Sequence, residues 1–355
     1  MTGAPPPEVA HAALAAIPED SWTARNLRAA MSAQDIGALY EAVVVRDYPW
    51  TDLAPEAVAL AFAAYLLGEG DVEESVVIGA NFGRDADTVA AIAGALAGAG
   101  RGEGGVPERW AKEIGPVAGR CLPGVKGCMC WTSPRSSPRP RREAGRRGDV
   151  FGGQDPGAFI GLAAGDAAGW PAARHRSGLH APWSRRLARE LDGFAEEHAV
   201  TTLPVPFALN QPPEPLATGP SDDAEWLAWT ALTRHEDRAE AFGRLAGRDD
   251  LRVRISVRAA LGNLAAGKAP PVSGYDNPHH FDDAAAVRAV AFGAAGMDPA
   301  RTRRSPTRAT ACSPPSRWPP PCGNWWRAHP SPRPSRRRWT SCPRTRPSAT
   351  RPGRR

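Results

Sequence analysis

Apolar positions recur at helical spacing through most of the first 120 residues. Ala54–Leu67, APEAVALAFAAYLL, is rich in Ala and Leu, opens with a proline and an acid, and is followed by a glycine. That is the pattern of a helix with a defined start and stop. Asp71–Ala80 puts Val72, Val76 and Val77 on one apolar stripe. Asp85–Gly98 sets Val89, Ile92 and Leu96 beside the small Ala93 and Ala97 along a face to be buried. The Ala and Gly content of this last stretch predicts close helix–helix packing. Residues 150–300 continue in the same manner: Gly157–Gly169 is small and apolar, and helices are predicted at Asp222–Thr233 and Ile255–Gly267. Leu203–Gly219 reads as a Pro-rich connection between them. Neither region has an alternating strand pattern of useful length. The expected class is all-α, short helices joined by long functional loops.

Two segments break this pattern. Residues 301–355 hold 15 Arg and 12 Pro, and no Asp, Glu, Leu, Ile, Val, Met, Phe or Tyr. Without aliphatic side chains such a segment cannot bury enough apolar surface to offset the entropy of ordering, so a disordered tail is expected. Cys121–Gly148 is also rich in Arg, Pro, Ser and Gly, with no helical period. The expected organisation is two helical regions, 1–120 and 150–300, a linker over 121–149 and a tail over 301–355. Arg, Pro, Ser, Cys and Trp in place of all aliphatics is also what out-of-frame translation of GC-rich coding sequence would give.

Removing the tail reverses the charge. Residues 1–300 carry 29 basic and 38 acidic residues, a net charge of −9, so the basic pI belongs to the tail. An acidic folded part excludes a nucleic-acid-binding core. The tail keeps that option through its arginines and Trp318, Trp325, Trp326 and Trp339. All six cysteines fall in the two odd segments, which fits a reducing cytoplasm and supplies no disulfide framework. Cys128 and Cys130 have no partner at zinc-finger spacing and read as incidental thiols. No signal peptide or transmembrane stretch is apparent. The expectation is a cytoplasmic protein with no membrane contact.

Candidate chemistry lies where helices are predicted to begin. Gly83–Thr88, GRDADT, places Asp85, Asp87 and Thr88 within four residues; Ser221, Asp222 and Asp223 form a second such group. Either group could be ordinary helix capping. Two of them in an acidic chain could instead surround a pair of hard cations, which want several oxygen ligands on a fixed frame. Asp166 sits among small residues in IGLAAGDAAGWP, as a cap or as a group lining a ligand. Pro270–Asp283, PPVSGYDNPHHFDD, gathers Tyr275, Asp276, Asn277, His279, His280, Phe281, Asp282 and Asp283. Its aromatic rings could stack on a base, and Asn277 and His279 could bond a ribose or phosphate; a turn capping the next helix explains the same residues.

GRDADTVAAIAGALAG at 83–98 and VPERW at 106–110 closely resemble the C-terminal signature of the ADP-ribosylglycohydrolase family. GLAAGDAAGWP at 161–171 resembles that family's N-terminal GxxxGDAxG stretch, and SDDAEW at 221–226 its Ser/Thr-Asp-Asp-x-Glu stretch. The order along this chain is reversed: residues 1–120 resemble the family's C-terminal part and 150–300 its N-terminal part. The family's middle section is not recognisable, the acid common shortly after GDAxG is not apparent, and residue 224 is Ala where Thr is common.

The resemblance implies an all-α multi-helix bundle, incomplete or permuted, around a pair of Mg²⁺ ions. By position Ser221, Asp222, Asp223, Asp85, Asp87 and Thr88 would be the metal ligands, with Asp222 and Asp223 catalytic and Asp166, Asn277 and His279 on the substrate. The implied reaction is Mg²⁺-dependent hydrolysis of the glycosidic bond linking ADP-ribose to a protein or a small acceptor. The alternative is a degenerate or truncated member without catalysis that retains at most metal or nucleotide binding.

Overall fold

The computed structural model describes residues 3–45, 53–128, 156–179 and 221–297. Side chains of Val45 and of residues 171–179 are outside the description, as are most of the linker and all of the tail. The tail tryptophans, and all of the segments read as out-of-frame beyond residue 128, therefore fall on residues not described.

The protein is all-α, as the patterning indicated, and no strand occurs among the described residues. One isolated bridge pairs Leu53 with Asp282. The first region holds α1 (Pro6–Ala15), α2 (Trp22–Ser32), the short α3 (Ile36–Leu39) running into a π-turn at Tyr40–Val45, α4 (Ala54–Leu67), α5 (Val72–Asn81), α6 (Ala86–Arg101) and α7 (Glu108–Glu113). The second holds α8 (Pro156–Leu179), α9 (Asp223–Leu232), α10 (Arg238–Gly243), α11 (Ile255–Ala265), α12 (Val272–Tyr275) and α13 (Ala284–Ala294). No helix among the described residues is long and apolar enough to cross a membrane.

The two regions share one hydrophobic core. Leu60 and Val89 from the first region belong to the same buried cluster as Phe159, Trp226, Leu261 and Val287 from the second. The centre of it is α6 against α8. Ala86, Ala90, Gly94 and Gly98 recur every fourth residue on α6, and Gly157, Gly161, Gly165 and Gly169 do so on α8. The rows meet antiparallel. A Cβ on Gly161 would lie 2.0 Å from the carbonyl oxygen of Gly94, and one on Gly98 2.0 Å from that of Gly157. Only hydrogen at these positions lets the two backbones touch. The packing predicted from composition is therefore present, and its partner is a helix of the other region.

Two expectations change. Val76 is buried on α5 but Val77 is 42% exposed. Val77 follows Val72 by five residues, which turns it about 140° away from the buried face at 3.6 residues per turn. The compositional change at Cys121 does not end the folded chain either: Leu122 and Val125 are buried, and Val117 and Cys128 are joined backbone to backbone at 2.9 Å.

Candidate active site

Helices α6, α9, α11 and α13 begin at one place, each preceded by a charged residue: Asp85, Asp222, Arg254 and Asp283 respectively. None of the four uses its side chain to cap its own helix. The backbone explains two of them. Asp222 and Asp283 have ψ of −10° and −9°. An N-cap needs extended backbone to fold its side chain over the N3 amide.

Bonds between segments hold this place together instead. Thr88 Oγ1 on α6 donates to Asp223 Oδ2 at 2.7 Å, joining residues 135 apart in sequence. Ser221 Oγ donates to Asp166 Oδ1 at 2.5 Å and accepts the Asp223 amide at 3.1 Å. The other oxygen of Asp166 accepts the Ala224 amide at 3.1 Å. Asp166, carried on α8, thus satisfies the start of α9 in place of a local cap. Glu225 is fully buried and accepts the amides of Arg120, Cys121 and Leu122 at 2.6, 2.8 and 2.6 Å. This pins the end of the first region to α9. On the other flank, Arg84 Nε donates to the buried Glu56 of α4 at 2.5 Å, fixing the approach to α6.

Arg254 stands at the middle. Its Nε donates to both oxygens of Asp222 at 3.1 Å. Its Nη1 donates to Asp283 and lies 3.8 Å from Asp282. Its Nη2 donates to Asp223 Oδ1 at 3.1 Å and to Thr88 Oγ1 at 3.3 Å. Nothing in the local sequence LRVRISV distinguishes this arginine from its neighbours, and sequence reasoning missed it. Asp282 and Asp283, grouped from sequence with the polar loop at 270–283, join the acidic cluster through Arg254.

Burial sets the electrostatics. It pushes the Asp87 carboxyl well above the ordinary range; the charges of Asp85, Asp223 and Asp166 add to this and Arg254 opposes it. Asp223 and Asp283 are raised by the same cause, again against Arg254. Asp166 is pushed up to about 7 by burial, opposed by the hydrogen bonds from Ser221 and Ala224. Arg254 is itself buried, which lowers its affinity for a proton, but Asp222, Asp283 and Asp223 outweigh this and hold it charged. The Cys121 thiol is pushed up to about 12 by burial and then by Asp222 and Glu225, so it stays protonated in this setting.

The donors are hard oxygens, and among the buried carboxylate oxygens Asp87 Oδ1 and Asp283 Oδ2 have no hydrogen-bond partner. That chemistry suits Mg²⁺. As the side chains stand, no set of three or more acidic, imidazole or thiol groups among the described residues is arranged to hold a metal ion. Arg254 is bonded between them.

Of the nine residues singled out from sequence, the structure links Thr88, Asp166, Ser221, Asp222 and Asp223 by hydrogen bonds or through Arg254, and sets Asp85 and Asp87 within their field. Asn277 stands apart. Its Nδ2 donates to the Ser256 carbonyl at 2.7 Å and its Oδ1 accepts the His279 amide at 3.0 Å, the bonds of a residue that shapes a turn. His279 lines a small cleft with Ser256, Asn277, His280, Asp282 and Arg288, on the side of the acidic cluster where α13 begins.

The fold and site define an all-α protein with an acidic centre built where helix N-termini converge. The sequence profile described as ADP-ribosylglycohydrolase matches residues 1–125 and 156–314. The chain belongs to the ADP-ribosylglycohydrolase family, a family of hydrolases. No curated protein and no solved structure is similar enough to match.

Proposed function

We propose that this protein hydrolyses the glycosidic bond between ADP-ribose and a protein side chain or small acceptor, with Mg²⁺, at one composite site built by both regions. The observation that carries this reading is the Thr88–Asp223 bond, which joins the two acidic stretches although their order along the chain is reversed. Asp85, Asp87, Thr88, Ser221, Asp222 and Asp223 would hold the metal, as a pair of ions. When bound, Mg²⁺ supplies the positive charge that orients ribose hydroxyls and lowers the pKa of the attacking water.

The protein's own groups divide the remaining work. Asp223 is fully buried and tied to Thr88, so it anchors. The Asp222 side chain is 15% exposed and can meet solvent, which makes it the better placed of the two to accept a proton from water. Asp166 orients Ser221 and the start of α9, a role one step removed from the substrate. The substrate's acceptor lies outside what these residues specify.

Release of ADP-ribose from a panel of N- and O-linked ADP-ribose conjugates, with Mg²⁺ and with chelator, tests the proposal. The wild type is expected to release it only with Mg²⁺. Asp222→Ala is expected to lose on the order of 10²-fold or more in kcat, the usual contribution of a positioned base. Release that persists in chelator would overturn the metal reading. The bonding of Arg254 to Asp222, Asp223 and Asp283 favours a second reading, a member that keeps the site's shape without catalysis. No release from any conjugate, with Mg²⁺ binding intact, would select it.

A further inference from the structure

All four carboxylate oxygens of Asp222 and Asp223 already have donors. Arg254 Nε reaches both oxygens of Asp222, Arg254 Nη2 reaches Asp223 Oδ1, and Thr88 Oγ1 reaches Asp223 Oδ2. The same guanidinium donates to Asp283. It does so nearly out of water: the Arg254 side chain is 18% exposed, and those of Asp223 and Asp283 are not exposed at all. Even so, Asp87 Oδ1 and Asp283 Oδ2 remain buried without a partner. One planar guanidinium has five N–H groups in a fixed fork and a single charge, so it cannot serve every oxygen around it. A divalent ion carries more charge and accepts oxygens from all sides. Both cations draw on the oxygens of Asp222 and Asp223, and their positive charges repel at this range.

We propose that Arg254 is a displaceable internal cation: it holds Asp222, Asp223 and Asp283 in register, and a divalent ion must take Asp222 and Asp223 from it. This rests on the reading of the site as a metal centre. Arg254 is thereby a positioning residue with two opposed effects. It stabilises the fold when no metal is added, because removing it leaves buried carboxylates without a counter-charge. It weakens metal affinity, because its bonds must be broken first. A residue that merely shapes the site gives one sign only, since its loss harms stability and metal binding together.

The test uses the full chain, with Mg²⁺ and Mn²⁺ as probes, and compares wild type with Arg254→Met. Calorimetric titration gives the metal Kd, and thermal melting in chelator and in excess metal gives stability. The expected result is a lower Tm for Arg254→Met in chelator, a gap that narrows in excess metal, and metal binding roughly tenfold tighter than wild type, within the usual range of coupling between sites. Arg254→Lys keeps the charge but loses the fork, and is expected to fall between the two. It supplies the comparison if the methionine variant does not fold. Equal or weaker metal binding by both variants overturns the inference while the metal reading stands. Metal binding by none of the three proteins overturns the metal reading, and the inference with it.

Discussion

Aspartate opens helices in this protein in two different ways. Asp71 and Asp237 precede α5 and α10 with ψ of 137° and 134°, lie exposed, and accept amide bonds from the first turn they cap, at 3.0 Å to Glu74 and at 2.8 and 3.1 Å to Ala239 and Glu240. Asp222 and Asp283 precede α9 and α13 with ψ near zero and give their side chains to Arg254. Asp85 precedes α6, is buried, and makes no cap bond either. Residue type and position relative to the helix are the same in both sets. Burial and backbone differ: Asp85 and Asp283 are buried and Asp222 is half-buried. An exposed aspartate satisfies the nearest orphan amide. At α9 the first amides are satisfied instead by Ser221 and Asp166, and at α13 by Asp282, so Asp222 and Asp283 are not needed as caps. Their charge is then available to a cation.

The largest way to break this difference is to separate the helices that bring the buried set together. Gly161→Val would place side-chain carbon against the backbone of Gly94, where even a Cβ would lie 2.0 Å from the carbonyl oxygen. We expect a loss of about 3 kcal/mol or more, the upper range for an overpacked core. Activity should fall with it, since the start of α6 would move away from Asp223. An unchanged Tm in a melting scan would refute the α6–α8 contact as the element that assembles the site.

A second effect is a pH dependence carried by Asp166. Its folded pKa is raised to about 7 from an ordinary value of 3.8. The folded state therefore holds the proton more tightly than the unfolded chain does. The stability this confers is fully present below the unfolded value and is lost as pH rises through about 7. Melting in chelator should show the protein gaining stability from this group as pH falls from 8 toward 4. Asp166→Asn should flatten that part of the curve. A difference in Tm between wild type and variant that stays constant over the window would remove Asp166 from the buried set.

The smallest effect belongs to the exposed caps. Asp237→Ala should cost about 1 kcal/mol, as loss of an N-cap does. ADP-ribose release and metal affinity should not change. If either falls as far as in Asp222→Ala, the division into capping and site aspartates fails.

Much of this was legible before folding. Helical spacing and the lack of alternation identified the class, and Ala and Gly repeated along Asp85–Gly98 announced close packing. The acidic stretches at 83–88 and 221–223 stood out through their spacing, because several oxygen donors near a helix start are visible in one dimension. Asn277 stood out among polar neighbours, and its side chain bonds the backbone of Ser256 and His279, which no local pattern announces.

What the sequence determined by itself is local: where backbone turns into helix, which faces are apolar, and which short stretches concentrate acids. What only the tertiary structure decided is how those acids are used. Arg254 comes from a stretch with no mark on it, Glu225 finds three amides about a hundred residues upstream, and Asp283 trades a capping position for a buried cluster. The reason is physical. A carboxylate's partner and charge state follow from the solvent it loses and the charges around it, and both are supplied by segments far away in the chain.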